Sequence, residues 1–233
     1  MKRKLQPEIM DQPGLDAAEH AGALAGLRRI NALSRTSSYL WNSISRQIGP
    51  HDNGSEPIRI LDIASGGGDV PIDLMRRALV ANRRIQIEGC DFSDRAVRIA
   101  QARANSLGLA VRFSVLDALR DPIPEGFDVI TCTLFLHHLS EENAILLLRK
   151  MATATRRLVL VDDLIRDRLG LFLARLGCRL LTTSRIVHFD GPASVEAAFS
   201  ISEAVELANL AGLGPVAIER HWPRRFLLSW NRP

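Results

Sequence analysis

Short apolar runs alternate with longer amphipathic segments through the middle of the chain. Apolar runs of this length predict buried strands, and apolar residues that recur every three or four positions predict helices. The predicted strands are Ile58–Ile63, Ile85–Cys90, Val111–Leu116, Phe127–Thr131 and Leu158–Val161. Predicted helices begin at Pro71, at Ser93–Asp94 and after Ser140. This order is typical of βαβ units, so we predict an α/β fold with a doubly wound, mainly parallel sheet.

The segment before the first strand carries two helical stretches behind a polar lead. Residues 1 to about 18 are polar and contain Pro7 and Pro13, which predicts a loose lead. Apolar residues then recur at helical spacing as far as Ile48, with a break at residues 34–38 that predicts two helices. Residues 50–57 are predicted to be a linker. We interpret 1–55 as a lead and helical cap, and 56–233 as the core domain. The cap either packs over the ligand edge of the sheet or is an N-terminal addition to the core that does not contact the ligand.

The segment after the fifth strand mixes leucines with arginines. Residues 164–185 present an apolar face flanked by arginines. Such a face is typical of a helix that covers a pocket or lies on a membrane surface. We interpret 164–192 as a roof over a substrate pocket, ending in a polar loop at Val187–Pro192, and keep peripheral membrane contact through 164–185 as the alternative. A capping box at Ser200–Glu203 opens a further helix. Val216–His221 and Phe226–Trp230 predict two final strands.

Three consecutive glycines follow the first predicted strand. Gly66, Gly67 and Gly68 stand between that strand and the helix at Pro71. Because glycine accepts positive φ and lets a ligand lie against bare backbone, this junction predicts a nucleotide-binding loop. A dinucleotide fingerprint does not fit, because Pro71 stands where its third glycine belongs, and a phosphate loop does not fit, because its lysine is absent.

Acidic residues end the next two strands. Asp91 comes roughly twenty residues after the glycine loop, the spacing at which a carboxylate binds ribose hydroxyls, although a helix N-cap would use the same residue type. Asp117 ends the third strand, where a turn-forming aspartate is the alternative. The carboxyl ends of parallel strands lie at one edge of a sheet, so we expect both acids and the glycine loop at one ligand site.

The stretch Asp62-x-Ala64-x-Gly66-x-Gly68 resembles motif I, D-x-G-x-G-x-G, of the class I S-adenosylmethionine-dependent methyltransferases, with Ala64 in place of the first glycine. The resemblance covers residues 58–163, and the sequence Leu-His-His-Leu at 136–139 makes the chain most similar to the small-molecule branch that includes quinone-biosynthesis methyltransferases. It implies a Rossmann-like sheet of seven strands with a terminal antiparallel hairpin, and S-adenosylmethionine as cofactor. The residues that it assigns to the cofactor are Asp62, Ala64, Gly66, Gly68, Asp91, Phe92, Asp117, Ala118 and Thr133.

Histidines are the candidate catalytic residues. Methyl transfer to a hydroxyl group profits from a general base, and histidine titrates near neutral pH. His137 and His138 follow the fourth strand, near the methyl group in the family that the chain resembles, and His188 follows the arginine-rich segment, two residues before Asp190. The predicted reaction is methyl transfer to a small, largely apolar acceptor, preferably a phenolic or enolic oxygen. Carbon methylation of a quinone or polyketide-type precursor stays open, as does a non-catalytic cofactor-binding module, for which Ala64 is the one hint.

Composition limits the classes of partner and the location that we expect for this chain. The net charge is +4 and the sequence pI about 9.4, but the basic residues are scattered, so a nucleic-acid partner is not predicted. Three cysteines stand far apart, at positions 90, 132 and 178, which predicts neither a metal site nor a disulfide framework. The basic start is followed by no apolar stretch, so no secretion signal is predicted. We expect a cytoplasmic protein, either monomeric or homodimeric.

Overall fold

The computed structural model describes residues 1–10, 14–48 and 56–233. Over these ranges the chain forms seven strands and eight α-helices. The strands are β1 (Ile58–Ile63), β2 (Ile85–Asp91), β3 (Val111–Val115), β4 (Phe127–Thr133), β5 (Thr155–Leu164), β6 (Ala217–His221) and β7 (Arg225–Asn231). The helices are α1 (Ala17–Ser34), α2 (Thr36–Ile48), α3 (Asp69–Val80), α4 (Asp94–Ser106), α5 (Glu141–Ala154), α6 (Arg168–Leu181), α7 (Arg185–Ala197) and α8 (Ile201–Leu210).

All the strands of the described ranges join one sheet in the order β3-β2-β1-β4-β5-β7-β6. β1 to β5 pair in parallel, and β7 runs antiparallel to both β5 and β6. The strand order reverses between β1 and β4, where an open α/β sheet binds its ligand. The doubly wound sheet with a terminal antiparallel hairpin is therefore confirmed.

Helices cover both faces of the sheet. Leu147 of α5 and Leu207 of α8 belong to the hydrophobic cluster on one face. Leu74 of α3 lies in the cluster on the other face, together with Leu40 and Ile44 of α2. Burial of these two α2 side chains, both 0% exposed, places the second N-terminal helix in the same core as β1. β5 extends three residues beyond its predicted bounds at each end, because β4 pairs with it at Thr155 and β7 pairs with it as far as Leu164.

The prediction of a loose lead is wrong for residues 1–10. The guanidinium of Arg3 donates to the carbonyl oxygens of Ala197 and Leu139, each at 2.6 Å, and lies 3.7 Å from the centre of the Phe199 ring. The backbone N–H groups of Ile9 and Met10 donate to the Asp190 carboxylate. These partners are more than a hundred residues away in sequence, so local composition carries no signal for them. Residues 11–13 of the predicted lead, residue 49, and residues 50–55 of the predicted linker lie outside the described residues.

The predicted polar loop at Val187–Pro192 is also wrong, since these residues belong to α7. Gly191 and Pro192 together suggest a chain break, but packing overrides that signal. Ile186 and Val187 are buried, and a Cβ at Gly191 would clash with the sulfur of Cys178 on α6. Glycine is needed there because α6 and α7 approach closely.

Cys90, Cys132 and Cys178 are all buried free thiols.

Candidate active site

A loop of left-handed residues joins β1 to α3 at the switch point. Ala64, Gly66 and Gly68 have φ values of 55°, 52° and 74°. The backbone N–H of Ser65 donates to the carbonyl of Cys90 at 2.9 Å, which attaches the loop to the end of β2. Ala64 thus adopts a left-handed conformation at the position where motif I has glycine. Its Cβ makes this backbone conformation strained.

Gly68 is fixed by packing as well as by φ. A Cβ at this position would lie 2.7 Å from Cζ of Phe113 and 2.9 Å from Cβ of Ala100. We expect Gly68→Ala to lower the free energy of unfolding by at least about 1 kcal/mol, since the left-handed conformation alone costs an L-residue that much. Gly67→Ala is the matched control, because its Cβ would meet only the Arg103 guanidinium at 3.5 Å. Chemical denaturation of both variants checks this, and equal stabilities would contradict it.

Asp91 lies beside the loop at the end of β2. One carboxylate oxygen accepts the N–H of Gly66 at 2.8 Å, and the other accepts the N–H of Ser93 at 2.9 Å. The side chain is nearly buried, and burial raises its pKa above the ordinary range. Each carboxylate oxygen has two lone pairs, so each keeps acceptor capacity for a ligand hydroxyl.

Asp62 lies under the loop and does not line the cavity. Its side chain is fully buried, and it accepts a hydrogen bond from the Thr131 hydroxyl at 2.6 Å. Burial, reinforced by the nearby Asp91, raises the pKa of Asp62 to about 7. Its second carboxylate oxygen has no hydrogen-bond partner among the described residues. Asp62 is thus placed to support the loop from below.

Asp117 and Ala118 lie outside the residues that line the cavity. One oxygen of Asp117 accepts the N–H groups of Leu119 and Arg120 at 3.0 and 3.3 Å, which is the turn-forming geometry considered as the alternative. Gly68 also packs behind the loop. Of the residues assigned to the cofactor by resemblance, those that line the cavity are Ala64, Gly66, Asp91, Phe92 and Thr133.

The loop opens into a cavity of about 1390 Å³. Single ligand pockets usually hold roughly 300–1,000 Å³, so this volume accommodates two small molecules side by side. The glycine loop, Asp91 and Phe92 line it, as do Phe135, His137 and His138. Leu173 of α6 and Ser194 of α7 line it as well. That residues 164–192 form a roof over a substrate stays a prediction.

His137 and His138 lie together at the cavity wall in a short 3-10 turn after β4. Asp163, at the end of β5, contacts Nδ1 of His137 at 2.7 Å and accepts its backbone N–H at 3.1 Å. Glu8, from the N-terminal segment, places Oε1 3.7 Å from Nε2 of His137 and 3.9 Å from Nε2 of His138. The two imidazole rings are 4.3 Å apart. We refer to Glu8, His137, His138 and Asp163 as the histidine cluster.

The two imidazoles of the histidine cluster have pKa values shifted in opposite directions. Burial alone would lower the pKa of His137, but the charge and hydrogen bond of Asp163, together with Glu8, raise it to about 9. Burial and the neighbouring charge on His137 lower the pKa of His138 to about 4. At neutral pH His137 is therefore a cation and His138 a neutral base. Environments that separate two pKa values in this way are typical of acid–base sites.

The third candidate, His188, lies elsewhere, as does His221. His188 is on α7 and does not line the cavity, and its Nε2 contacts the carbonyl of Thr182 at 2.8 Å. His221 is buried, with Nε2 2.5 Å from Asp162 and its ring stacked on Tyr39. Sequence reasoning missed Glu8, for which no signal existed. Asp163 could have been found from its place at a strand end beside the other acids.

Glu8, His137 and His138 also form the group in the described ranges whose atoms could hold a metal ion. Their three potential ligand atoms lie within 4.8 Å of one another. The cysteine-based prediction of no metal site did not consider this group. Activity measurements on this chain therefore need a chelator control.

Residues 60–157 match the model of a protein family described as "Methyltransferase domain". The chain is 33% identical over 108 residues to a demethylmenaquinone methyltransferase of Deinococcus radiodurans, a match that covers 46% of this chain and 43% of that protein. It is 26% identical over 191 residues to a ubiquinone biosynthesis O-methyltransferase of Ralstonia nicotianae, covering 75% and 76% of the two chains. The chain thus spans less than half the length of the Deinococcus protein that it matches.

A solved structure shares the fold. The O-methyltransferase family 2 protein of Planctomyces limnophilus, crystallised with apigenin, superposes with a TM-score of 0.67 at 16% identity, over 95% of this chain and 63% of that one. Within the described parts of the chain, the helices are too short or too polar to cross a membrane.

Proposed function

We propose that this chain, whose residues 60–157 belong to the methyltransferase domain family, transfers a methyl group from S-adenosylmethionine to a small, largely apolar acceptor. One observation carries the proposal. The glycine loop with Asp91 and the two imidazoles of the histidine cluster line the same cavity, which is large enough for a methyl donor and an acceptor together.

The residues present fit the cofactor. The left-handed loop exposes bare backbone at Gly66, where a Cβ would meet no atom of the described residues within 4 Å, so a ligand can approach closely. Asp91 keeps acceptor capacity for ribose hydroxyls, and Phe92 and Thr133 also line the cavity. When bound there, S-adenosylmethionine supplies a methyl group activated by its sulfonium.

An apolar acceptor is supported by the cavity lining and by the relatives. Phe135, Leu173, Leu176 and Leu181 line the cavity beyond the loop. Two of the relatives bear the names demethylmenaquinone methyltransferase and ubiquinone biosynthesis O-methyltransferase. We therefore propose a phenol, quinol or enol as acceptor. Apolar walls bind such rings and exclude the water that would compete for the methyl group.

His138 is the residue that we propose as general base. It is neutral at neutral pH and lines the cavity, so it can accept the proton of an acceptor hydroxyl. The positive charge on His137, fixed by Asp163 and Glu8, stabilises the oxyanion that remains. Removal of that proton also activates the ring carbons of a phenol or quinol. The same arrangement therefore serves carbon methylation, which the similarity to the Deinococcus protein favours as the second candidate.

Cofactor class is tested by titration calorimetry with S-adenosylhomocysteine and, separately, with NAD. We expect binding of S-adenosylhomocysteine in the micromolar range or tighter and no measurable binding of NAD. Tighter binding of NAD would exclude the methyltransferase function. A chelator in a parallel titration shows whether binding depends on a metal ion.

We expect Asp163 to determine the pH above which the reaction rate falls, which is the alkaline limit of activity. Because its charge raises the pKa of His137 to about 9, the wild-type rate is expected to fall as pH rises through that value, when His137 loses its charge. Asp163→Asn removes the charge and lowers the pKa of His137, so the rate should fall at a lower pH. Asp117→Asn, outside the cavity, is the control. Rate–pH profiles of the three proteins check this, and an unmoved alkaline limit in Asp163→Asn would exclude the role.

A cytoplasmic location is part of the proposal. The three buried free thiols favour a reducing compartment.

A further inference from the structure

Helix α6 presents four large apolar side chains to solvent. Leu169, Phe172, Leu176 and Leu180 follow one another at helical spacing and are all exposed, with Phe172 60% and Leu180 74% accessible. The opposite face carries Gly170 and Cys178, which are buried. A surface helix of a water-soluble domain normally shows the reverse arrangement. We call the four exposed residues the α6 stripe.

Basic residues run directly beside the α6 stripe. Arg168, Arg175 and Arg179 are exposed on the same helix, at spacings of seven and four residues. The sequence of α6 contains no acidic residue that could neutralise them. Trp222, 61% exposed, adds an aromatic side chain on the loop that contacts the start of α6, where the Arg224 guanidinium binds Asp167. Apolar residues flanked by arginines and an aromatic ring fit the interface of an anionic bilayer. The apolar side chains would be buried among the lipid tails, and the guanidinium groups would lie at the phosphates.

The α6 stripe is continuous with the cavity. Leu176, Leu180 and Trp222 are exposed to solvent and also line the cavity that contains the histidine cluster. A molecule that enters from this face passes over apolar side chains before it reaches His138.

We propose that α6 docks this protein on the surface of an anionic lipid bilayer, and that the cavity takes from it an amphiphilic acceptor whose aromatic ring carries a long alkyl chain. The acceptor class rests on the proposed methyltransferase function, whereas the docking surface does not. The alkyl chain would lie along the α6 stripe while the ring reaches the histidine cluster.

Docking is tested by sedimentation of the full chain with vesicles, without cofactor or acceptor. We expect binding to vesicles of phosphatidylcholine mixed with phosphatidylglycerol, weaker binding at high salt, and little binding to phosphatidylcholine alone. Leu169→Ser with Phe172→Ser should weaken binding at least tenfold, and neither side chain lines the cavity. Arg175→Glu with Arg179→Glu should remove the preference for anionic vesicles, since each basic residue near such a surface contributes about fivefold in affinity.

Two control variants test whether the loss of vesicle binding is specific to α6. Leu79→Ser with Val80→Ser removes exposed apolar residues from α3, and Arg156→Glu reverses a charge at the start of β5. Both should bind vesicles like the wild type. Absence of binding by the wild type, or equal loss in the control variants, would overturn the docking surface. So would sedimentation velocity showing a dimer that Leu169→Ser with Phe172→Ser disperses, because a second copy would then cover the stripe.

The acceptor class has its own readout. The ratio of kcat/KM for a long-chain alkylphenol in vesicles to that for a short-chain phenol in solution should fall at least tenfold in Leu169→Ser with Phe172→Ser. An unchanged ratio would exclude delivery from the bilayer. If no phenol is methylated although the protein binds anionic vesicles, the proposed function fails and the docking surface stands.

Discussion

His138→Gln is expected to lower kcat by about a hundred- to ten-thousand-fold, the usual contribution of a general base. Affinity for S-adenosylhomocysteine should not change, because the proposed cofactor contacts are made by the glycine loop, Asp91, Phe92 and Thr133 and not by His138. Glutamine keeps a polar group of similar size but cannot take the proton of the acceptor. Steady-state kinetics and calorimetry on the same preparation separate the two quantities.

The pH profile identifies the base. A histidine in solution would give an acidic limb between about pH 6 and 7. Burial and the charge on His137 lower the pKa of His138 to about 4, so the acidic limb of kcat/KM should lie near that pH and vanish in His138→Gln. His188→Gln is the matched control, since His188 lies outside the cavity, and it should keep the wild-type kcat. Retention of kcat by His138→Gln would show that proximity alone drives the reaction.

Asp91→Ala is expected to weaken binding of S-adenosylhomocysteine at least tenfold. Hydrogen bonds to a charged group contribute about 1.5–3 kcal/mol each, and about 1.4 kcal/mol corresponds to a factor of ten in affinity. The substitution also releases the N–H groups of Gly66 and Ser93, so the glycine loop loses its attachment. Calorimetry measures the dissociation constant directly.

Two further variants separate these effects. Asp91→Asn keeps the shape of the side chain and one acceptor oxygen, so its loss should be intermediate. Asp117→Ala removes a carboxylate that accepts N–H groups of its own turn, and it should bind like the wild type. Equal affinity in Asp91→Ala and the wild type would show that the ribose is held elsewhere.

Most of the sheet could be predicted because its signals are local. Buried parallel strands appear as continuous apolar runs, and helices between them show their own period, so β1 to β5 were found in order. The helix α7 could not be predicted, because Gly191 and Pro192 indicate a break and only the close approach of α6 explains them. The C-terminal extension of β5 depended on pairing with β7, more than sixty residues later in the chain.

The candidate site was predictable on the cofactor side and less so on the acceptor side. The glycine loop and Asp91 carry a spacing that chemistry dictates, so the sequence indicates them directly. The pairing of His137 with Asp163 follows from the end positions of β4 and β5, but only the structure shows which of several acids makes the contact. Glu8 lies 129 positions before His137, in a segment whose composition suggests no structure. Nothing local distinguishes it from a solvated glutamate.

The most direct test of the central claim follows the methyl group itself. The purified chain is incubated with S-adenosylmethionine that carries a trideuterated methyl group and with a long-chain alkylphenol or alkylquinol, and the organic extract is analysed by mass spectrometry. The account predicts one acceptor product in which a trideuteromethyl group replaces a hydrogen, formed by the wild type and His188→Gln and nearly absent with His138→Gln. An unlabelled acceptor after incubation with wild-type protein that binds S-adenosylhomocysteine would contradict it.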